Sequence, residues 1–222
     1  MLELSKYSPF ASGGNRDCYV HPFNSGRCLK VIKKSRLPKL RRAEKSFPAN
    51  FRSLDSFDEN LVEMRQLEFI RKHFPSNICA HLPGSYGMIS TDIGNAFETD
   101  LIRDRDGLIS RTVEQHIWQV GYDRDLTSAL ERFCRDWSFR CPLTRDLIPH
   151  NLVISFNDEP NIYLIDGLGR PSQVGKWVTM IAPKYVFKKR KNSLKNRIDK
   201  IRERIDSSCE PDYRVHGINR SA

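Results

Sequence analysis

The feature that most restricts the fold is the order in which four short polar motifs interrupt apolar runs. Lys30 sits inside the apolar segment CLKVI, and Glu63 follows in an amphipathic stretch. Asp146 and Asn151 stand with four residues between them in LTRDLIPHNLVI, and Asp166 closes the apolar run NIYLID. The first two motifs lie in a half that reads strand, strand, helix, strand, strand, and the others in a half that is mostly helical. A chain that uses all of them must bring both halves around one crevice.

Local patterns carry that reading. The runs CYV and CLKVI, with β-branched Val31 and Ile32, predict two short strands joined by a turn at Asn24-Ser25-Gly26. Residues 34–57 are basic, hold Pro38 and Pro48 and lack clean periodicity, which predicts an irregular, extended insertion or mobile loop. Between 58 and 74, Leu61, Met64 and Leu67, with Phe69 and Ile70, recur at helical spacing behind Asp58 as N-cap. SYGMIST and AFETDLIRD predict a hairpin that turns at Asp92-Ile93-Gly94-Asn95. Helices over 110–122 and 123–139 follow, capped by Ser110 or Thr112 and by Asp123. Leu126, Ala129, Leu130, Phe133 and Trp137 share one face of the second. Leu152, Val153 and Ile154 predict a short strand, and the tail from about 172 is helical and increasingly basic. With 222 residues the chain suits one large domain or two small lobes. The expected architecture is α+β and two-lobed: a small antiparallel-sheet lobe over 1–102 and a reduced helical lobe over 103–222.

The motifs match the parts list of phosphoryl transfer: a lid over the phosphates, a positioning lysine, oxygen ligands for magnesium and a base beside the attacking hydroxyl. Protein kinases present these in the same chain order, with Asn five residues after the catalytic Asp and an Asp-Gly further on. On that pattern ATP and Mg²⁺ are the expected cofactors. Lys30 contacts the α and β phosphates and pairs with Glu63. Asp146 is the general base, and Asn151 and Asp166 hold the metal through an amide and a carboxylate oxygen. Gly13 and Gly14 open the lid, and Arg145 braces the catalytic loop. His150, inside that loop, is a candidate substrate contact. A residue such as Glu63 on a charged helix, or an Asp-Gly after a strand, is by itself ordinary; the joint order is what points to chemistry.

The departures are informative. At the four key lid positions the chain reads Ala11, Gly13, Arg16 and Cys18, so one glycine remains and Arg16 is free to reach phosphate itself. Thr144 stands where a histidine is usual, Leu168 follows the Asp-Gly, and no A-P-E motif occurs. Only 56 residues follow Asp166, too few for the helices that hold a peptide substrate. These points argue against an ordinary protein Ser/Thr kinase. They leave open phosphorylation of another hydroxyl acceptor, or a non-catalytic pseudokinase-type regulator that binds nucleotide or a protein partner.

The segments SPFASGGNRDCYVHP, RCLKVI, EMRQLEFIRKH, TDIGNAFETDLIRDRDGLIS, RDLIPHNLVI and LIDGLG together resemble the YrbL-like family, the PhoP regulatory network proteins. NRDCYVHP and DRDGLIS are the more particular marks. The resemblance implies a protein-kinase-like domain without a defined substrate.

Charge and cysteine usage bound the setting. The net charge is +10, concentrated in KKSRLPKLRRAEK and in the tail 184–205. The tail is a solvated helix or a surface for an anionic partner, acidic membrane lipids ahead of nucleic acid. Six scattered cysteines without C-x-x-C spacing read as reduced thiols. No run of 18 apolar residues and no secretory pattern occurs. The expectation is cytoplasmic, with peripheral placement at the inner membrane surface as the further option.

Overall fold

The computed structural model describes residues 1–138, 144, 147–169, 182–207 and 218–222. The fold is mixed α/β. Its first half builds a five-stranded sheet from β1 (Ala11–Ser12), β2 (Arg16–His21), β3 (Asn24–Ile32), β4 (Ser85–Thr91) and β5 (Gly94–Asp100). The order is β1-β2-β3-β5-β4, with every neighbouring pair antiparallel. β3 is central, and its four consecutive residues Cys28 to Val31 are all buried. Strand alternation splits them between two faces. Leu29 and Val31 pack with Leu4, Tyr19 and Ala96, while Cys28 and Lys30 face the opposite side. The register sets Cys18 opposite Lys30 and Arg16 opposite Ile32, so Arg16 and Cys18 share the face of Lys30.

The β2–β3 turn is formed by Pro22 and Phe23 and not by Asn24-Ser25-Gly26. Proline fixes the φ that a tight turn requires, and a bulge between Val20 and His21 absorbs the register change. Asn24 pairs with His21 as the first residue of β3, and its Oδ1 accepts a hydrogen bond from the Gly26 N–H at 3.1 Å. Residues 34–57 are also more ordered than expected. They hold helix α1 (Pro38–Ala43), with Pro38 in its first turn, and short 3-10 turns at 34–36, 49–51 and 54–57. Arg41 fastens this insertion by a 2.8 Å ion pair to Glu59.

Helix α2 (Glu59–His73) begins where Asp58 accepts the Leu61 N–H at 3.0 Å. It buries Asn60, Glu63, Leu67 and Ile70. Phe69, expected on that face, is 46% exposed and stacks on His73. After α3 (Ser76–Cys79) and the β4–β5 hairpin, β5 stops at Asp100, short of the expected residue 104.

The second half is helical but also carries a small sheet. β6 (Arg111–Thr112), β7 (Leu152–Phe156) and β8 (Pro160–Leu164) form three antiparallel strands in the order β6-β7-β8. Helix α4 (Val113–Gln119) is capped by Thr112 in a reciprocal capping box with Gln115. Ser110 plays no part in the cap and instead donates its hydroxyl to Asp104 at 2.6 Å. Helix α5 (Arg124–Trp137) starts at Asp123 and buries all five apolar residues expected on its inner face. The start of the expected tail helix at about 172 lies outside the described residues. Helix α6 (Pro183–Asp206) buries Phe187, Leu194, Ile198 and Ile201. One continuous core runs from Leu67, Ile70 and Phe97 through α4, α5, β7 and β8 to α6. Cys18, Cys28, Cys79 and Cys134 are free thiols, whereas Cys141 and Cys209 lie outside the described residues. No described helix is long and apolar enough to cross a membrane.

Candidate functional site

Lys30 and Glu63 meet on the inner face of the five-stranded sheet. The Lys30 Nζ lies 2.6 Å from Glu63 Oε1 and donates a second hydrogen bond, also 2.6 Å, to the Ile165 carbonyl. Strand alternation aims the lysine inward, and the 3.6-residue period places Glu63 on the buried side of α2 with Asn60 and Leu67. Arg16 takes the other Glu63 oxygen at 2.5 Å and reaches Asp166 Oδ1 at 2.7 Å. Asn60 locks the corner: its Oδ1 accepts from Arg16 at 3.3 Å and its Nδ2 donates to the Lys30 carbonyl at 2.8 Å.

Two cations and two carboxylates therefore balance in a cluster that is buried except at Asp166. The Lys30, Glu63 and Arg16 side chains are each 6% exposed or less, while that of Asp166 is 53% exposed. Burial alone disfavours every one of these charges. For Arg16 it is outweighed by Asp166 and Glu63, which hold its pKa well above the ordinary value. For Lys30 it is outweighed by Glu63, which also moves the pKa upward. Burial pushes the Asp166 carboxyl up, but Arg16 and Lys30, with the Gly167 N–H, pull it down to about 2. Gly167 has φ +86°, a conformation that favours glycine, and its N–H bonds Asp166 Oδ1 at 2.6 Å. Asp166 Oδ2 has no hydrogen-bond partner among the described residues.

Two adjoining cavities, of about 210 and 200 Å³, meet at this cluster. Asn15, Arg16, Glu59, Asn151 and Asp166 line both. The first extends into an apolar end walled by Phe10, Cys28, Leu101, Ile109, Val153 and Ile165. The second is polar and reaches Glu63 and Gly167. Asn151 is held by its backbone, with its N–H on the Ile148 carbonyl and its carbonyl on the Ile165 N–H, both at 3.0 Å.

The structure thus brings Gly13, Gly14, Arg16, Lys30, Asn151 and Asp166 to one cleft, with Glu63 behind Lys30. Gly13 and Gly14 line the first cavity, and the Gly13 N–H bonds the Arg16 carbonyl at 2.9 Å. Asp146 and Arg145 lie outside the described residues. His150 also lines the first cavity and sits 3.3 Å from Glu114. Sequence reasoning missed Asn60, Phe10 and Ile218. Asn60 was legible in principle, since it precedes Glu63 by three residues and so shares its helix face. Nothing local marks Ile218, which reaches the cavity from a distant segment.

Fold and site define a mixed α/β protein with a charge-balanced cluster set between two cavities of one cleft. Over residues 2–200 the chain matches the family model described as PhoP regulatory network protein YrbL, and it belongs to that family. It is 24% identical over 204 residues to the protein named "Uncharacterized protein YrbL" in Escherichia coli strain K12, covering 85% of this chain and 86% of that protein. The protein of the same name from Shigella flexneri shows the same identity and coverage.

Proposed function

We propose that this chain is a kinase-like, two-lobed phosphotransferase that moves the γ-phosphate of Mg-ATP to a hydroxyl acceptor. The observation that carries the reading is the buried Lys30–Glu63 pair at 2.6 Å, opening on the same cleft as Asn151 and Asp166. In this reading the five-stranded sheet with α2 is the first lobe, and the helices with β6-β7-β8 form the second. The apolar end of the cleft takes the nucleotide base, and the polar cavity takes the phosphates.

Each residue has a defined task. Lys30, fixed by Glu63, points its ammonium at the α and β phosphates. Gly13 and Gly14 bring backbone close to them. Asp166 is ionised, with one oxygen unpartnered among the described residues, and Asn151 lines the same cavity with an amide oxygen on its side chain, a donor set of the hard oxygen type that magnesium prefers. When bound, the metal neutralises charge on the phosphates. Asp146 accepts the proton of the acceptor hydroxyl while the acceptor oxygen bonds to the γ-phosphorus and the bond from that phosphorus to the β–γ bridging oxygen breaks, releasing ADP. Catalysis then rests on positioning and preorganised charge.

A second reading is a pseudokinase-type regulator that binds nucleotide or a protein partner without turnover. Arg16 favours it, because its guanidinium sits between Glu63 and Asp166, next to the position a metal would take. In either reading the exposed basic face of α6 faces an anionic partner, with acidic lipid headgroups preferred over nucleic acid.

The test is ATP binding and turnover with and without Mg²⁺, in wild type, Lys30→Ala and Asp166→Ala. Turnover that needs Mg²⁺ and falls roughly a hundredfold or more in both variants supports phosphotransfer. Binding without turnover supports the regulator. No nucleotide binding by the wild type removes both nucleotide readings.

A further inference from the structure

The apolar end of the cleft is closed by a segment that no motif identified. Ile218 packs against Phe10, Cys28, Leu101 and Ile109 and lines the cavity beside them. The segment is fastened at several points. The Asn219 N–H donates to the Phe10 carbonyl at 2.8 Å, and the Ile109 N–H donates to the Arg220 carbonyl at 3.1 Å. The Arg220 Nε returns a bond to the Ile109 carbonyl at 2.8 Å. Gln115 Nε2 holds the Ile218 carbonyl at 3.2 Å. The strongest tie is the 2.6 Å pair between Arg220 and Asp104. Asp104 is itself 8% exposed and is braced by the Ser110 hydroxyl at 2.6 Å and the Phe156 N–H at 3.0 Å.

We propose that residues 218–222 form a latch that walls the apolar end of the cleft, and that Ile218 sets the size of the planar group accepted there. This rests on the nucleotide reading for the identity of that group, a purine base, and on contacts alone for the latch. Three relationships carry it. The latch joins Phe10, at the entrance to the glycine-bearing β1–β2 turn, to Ile109 across the cavity. It lies outside residues 2–200, the stretch that matches the family model, and reaches the cleft through its own contacts. The cavity it closes is about 210 Å³, below the roughly 300–1,000 Å³ of small-molecule sites, so Ile218 limits a space that has little to spare.

The experiment compares wild type with Ile218→Ala, Ile218→Trp and Arg220→Ala, using ATP and an ATP analogue enlarged at the purine N6 position. Ile218→Trp fills the wall and weakens ATP binding at least tenfold with an unchanged melting temperature. Ile218→Ala gains affinity for the enlarged analogue relative to ATP by a similar factor. Equal ATP and analogue affinities in wild type and both Ile218 variants overturn the specificity role while leaving the phosphotransfer reading intact. Should wild type bind no nucleotide, amide hydrogen exchange decides the latch by itself. Arg220→Ala speeds exchange at the Ile109 and Asn219 N–H groups tenfold or more, and unchanged exchange there sinks the latch.

Discussion

Arg16 and Glu63, 47 residues apart in sequence, share a buried 2.5 Å hydrogen bond, and Lys30 holds the other oxygen of the same carboxylate. One carboxylate thus serves two buried cations. Replacing Glu63 with glutamine keeps the shape and removes the charge. Arg16 and Lys30 then keep neutral partners in Asn60 and the Ile165 carbonyl, and the carboxylate left in the cluster is Asp166, which is half open to solvent. Breaking a buried pair from one side destabilises by about 3–5 kcal/mol. Glu63→Gln is expected to lose that much in urea unfolding, read as a lower midpoint at constant slope. A loss under about 1 kcal/mol would show that water already solvates the cluster, since exposed pairs contribute at that level.

Asp166 gives the cluster a pH signature. Its pKa, about 2 when folded, lies below the ordinary value near 3.9 in an unfolded chain. A depressed carboxylate contributes stability that is present above the unfolded value and is lost as pH falls through the folded one. The window is therefore about pH 4 down to 2. The 53% exposure of the side chain screens the pairing and keeps the contribution small. Asp166→Asn should flatten the acid limb of the stability curve in that window. Coincident acid limbs for both proteins would mean that Arg16 does not hold the carboxylate in solution.

Much of this site was legible because its parts sit on regular elements. Period-two alternation in β3 fixes Lys30 to the face opposite Leu29, and the period of α2 aims Glu63 inward. The glycine-poor lid drew attention to Arg16, and strand alternation then carries it to the face of Lys30. What stayed hidden depends on distant chain. Arg16 was expected to reach phosphate, and its pairing with Glu63 and Asp166 depends on the fold. Phe69 has the right helical spacing for the core but finds His73 on the surface instead. Asn24-Ser25-Gly26 presents three turn-forming residues in a row against the single Pro22 of the true turn, and the register that decides between them comes from pairing with β2. Ile218 has no local pattern at all, since its role arises from backbone bonds to Phe10 and Gln115.

Gly84 follows Pro83 and bonds Asp100, two residues that line the first cavity. A Cβ placed there would lie 2.5 Å from the Tyr86 hydroxyl and 2.6 Å from Asp100 Oδ2. Asp100 is already committed: it accepts from the Gly84 N–H at 2.6 Å, from Tyr86 at 2.9 Å and from Arg27 at 3.0 Å. Arg27 lies over the Tyr86 ring, 3.0 Å from its centroid, and blocks the ring from yielding. Overpacking of this kind destabilises by about 1–3 kcal/mol. Gly84→Ala should therefore lower the melting temperature, and Tyr86→Ala in the same chain should recover part of the loss by clearing one neighbour. Wild-type stability for Gly84→Ala would show that this corner relaxes freely.

The basic face of α6 can be tested without touching the core. Phe187, Leu194, Ile198 and Ile201 point inward, while Lys188, Lys189, Lys191 and Lys195 are exposed. Charge reversal at Lys188, Lys189 and Lys195 leaves the apolar contacts in place, so the melting temperature should hold. Near an anionic surface each basic residue contributes about 1 kcal/mol, and reversal should weaken binding to phosphatidylserine vesicles by at least about fivefold per site. The binding should also fade as salt rises, because screening shortens the reach of exposed charges to about 8 Å at physiological ionic strength. Vesicle sedimentation read at low and high salt supplies both measurements. Binding to an oligonucleotide, with none to the vesicles, would move the partner to nucleic acid. Vesicle binding that survives the triple reversal would place the contact elsewhere on the molecule.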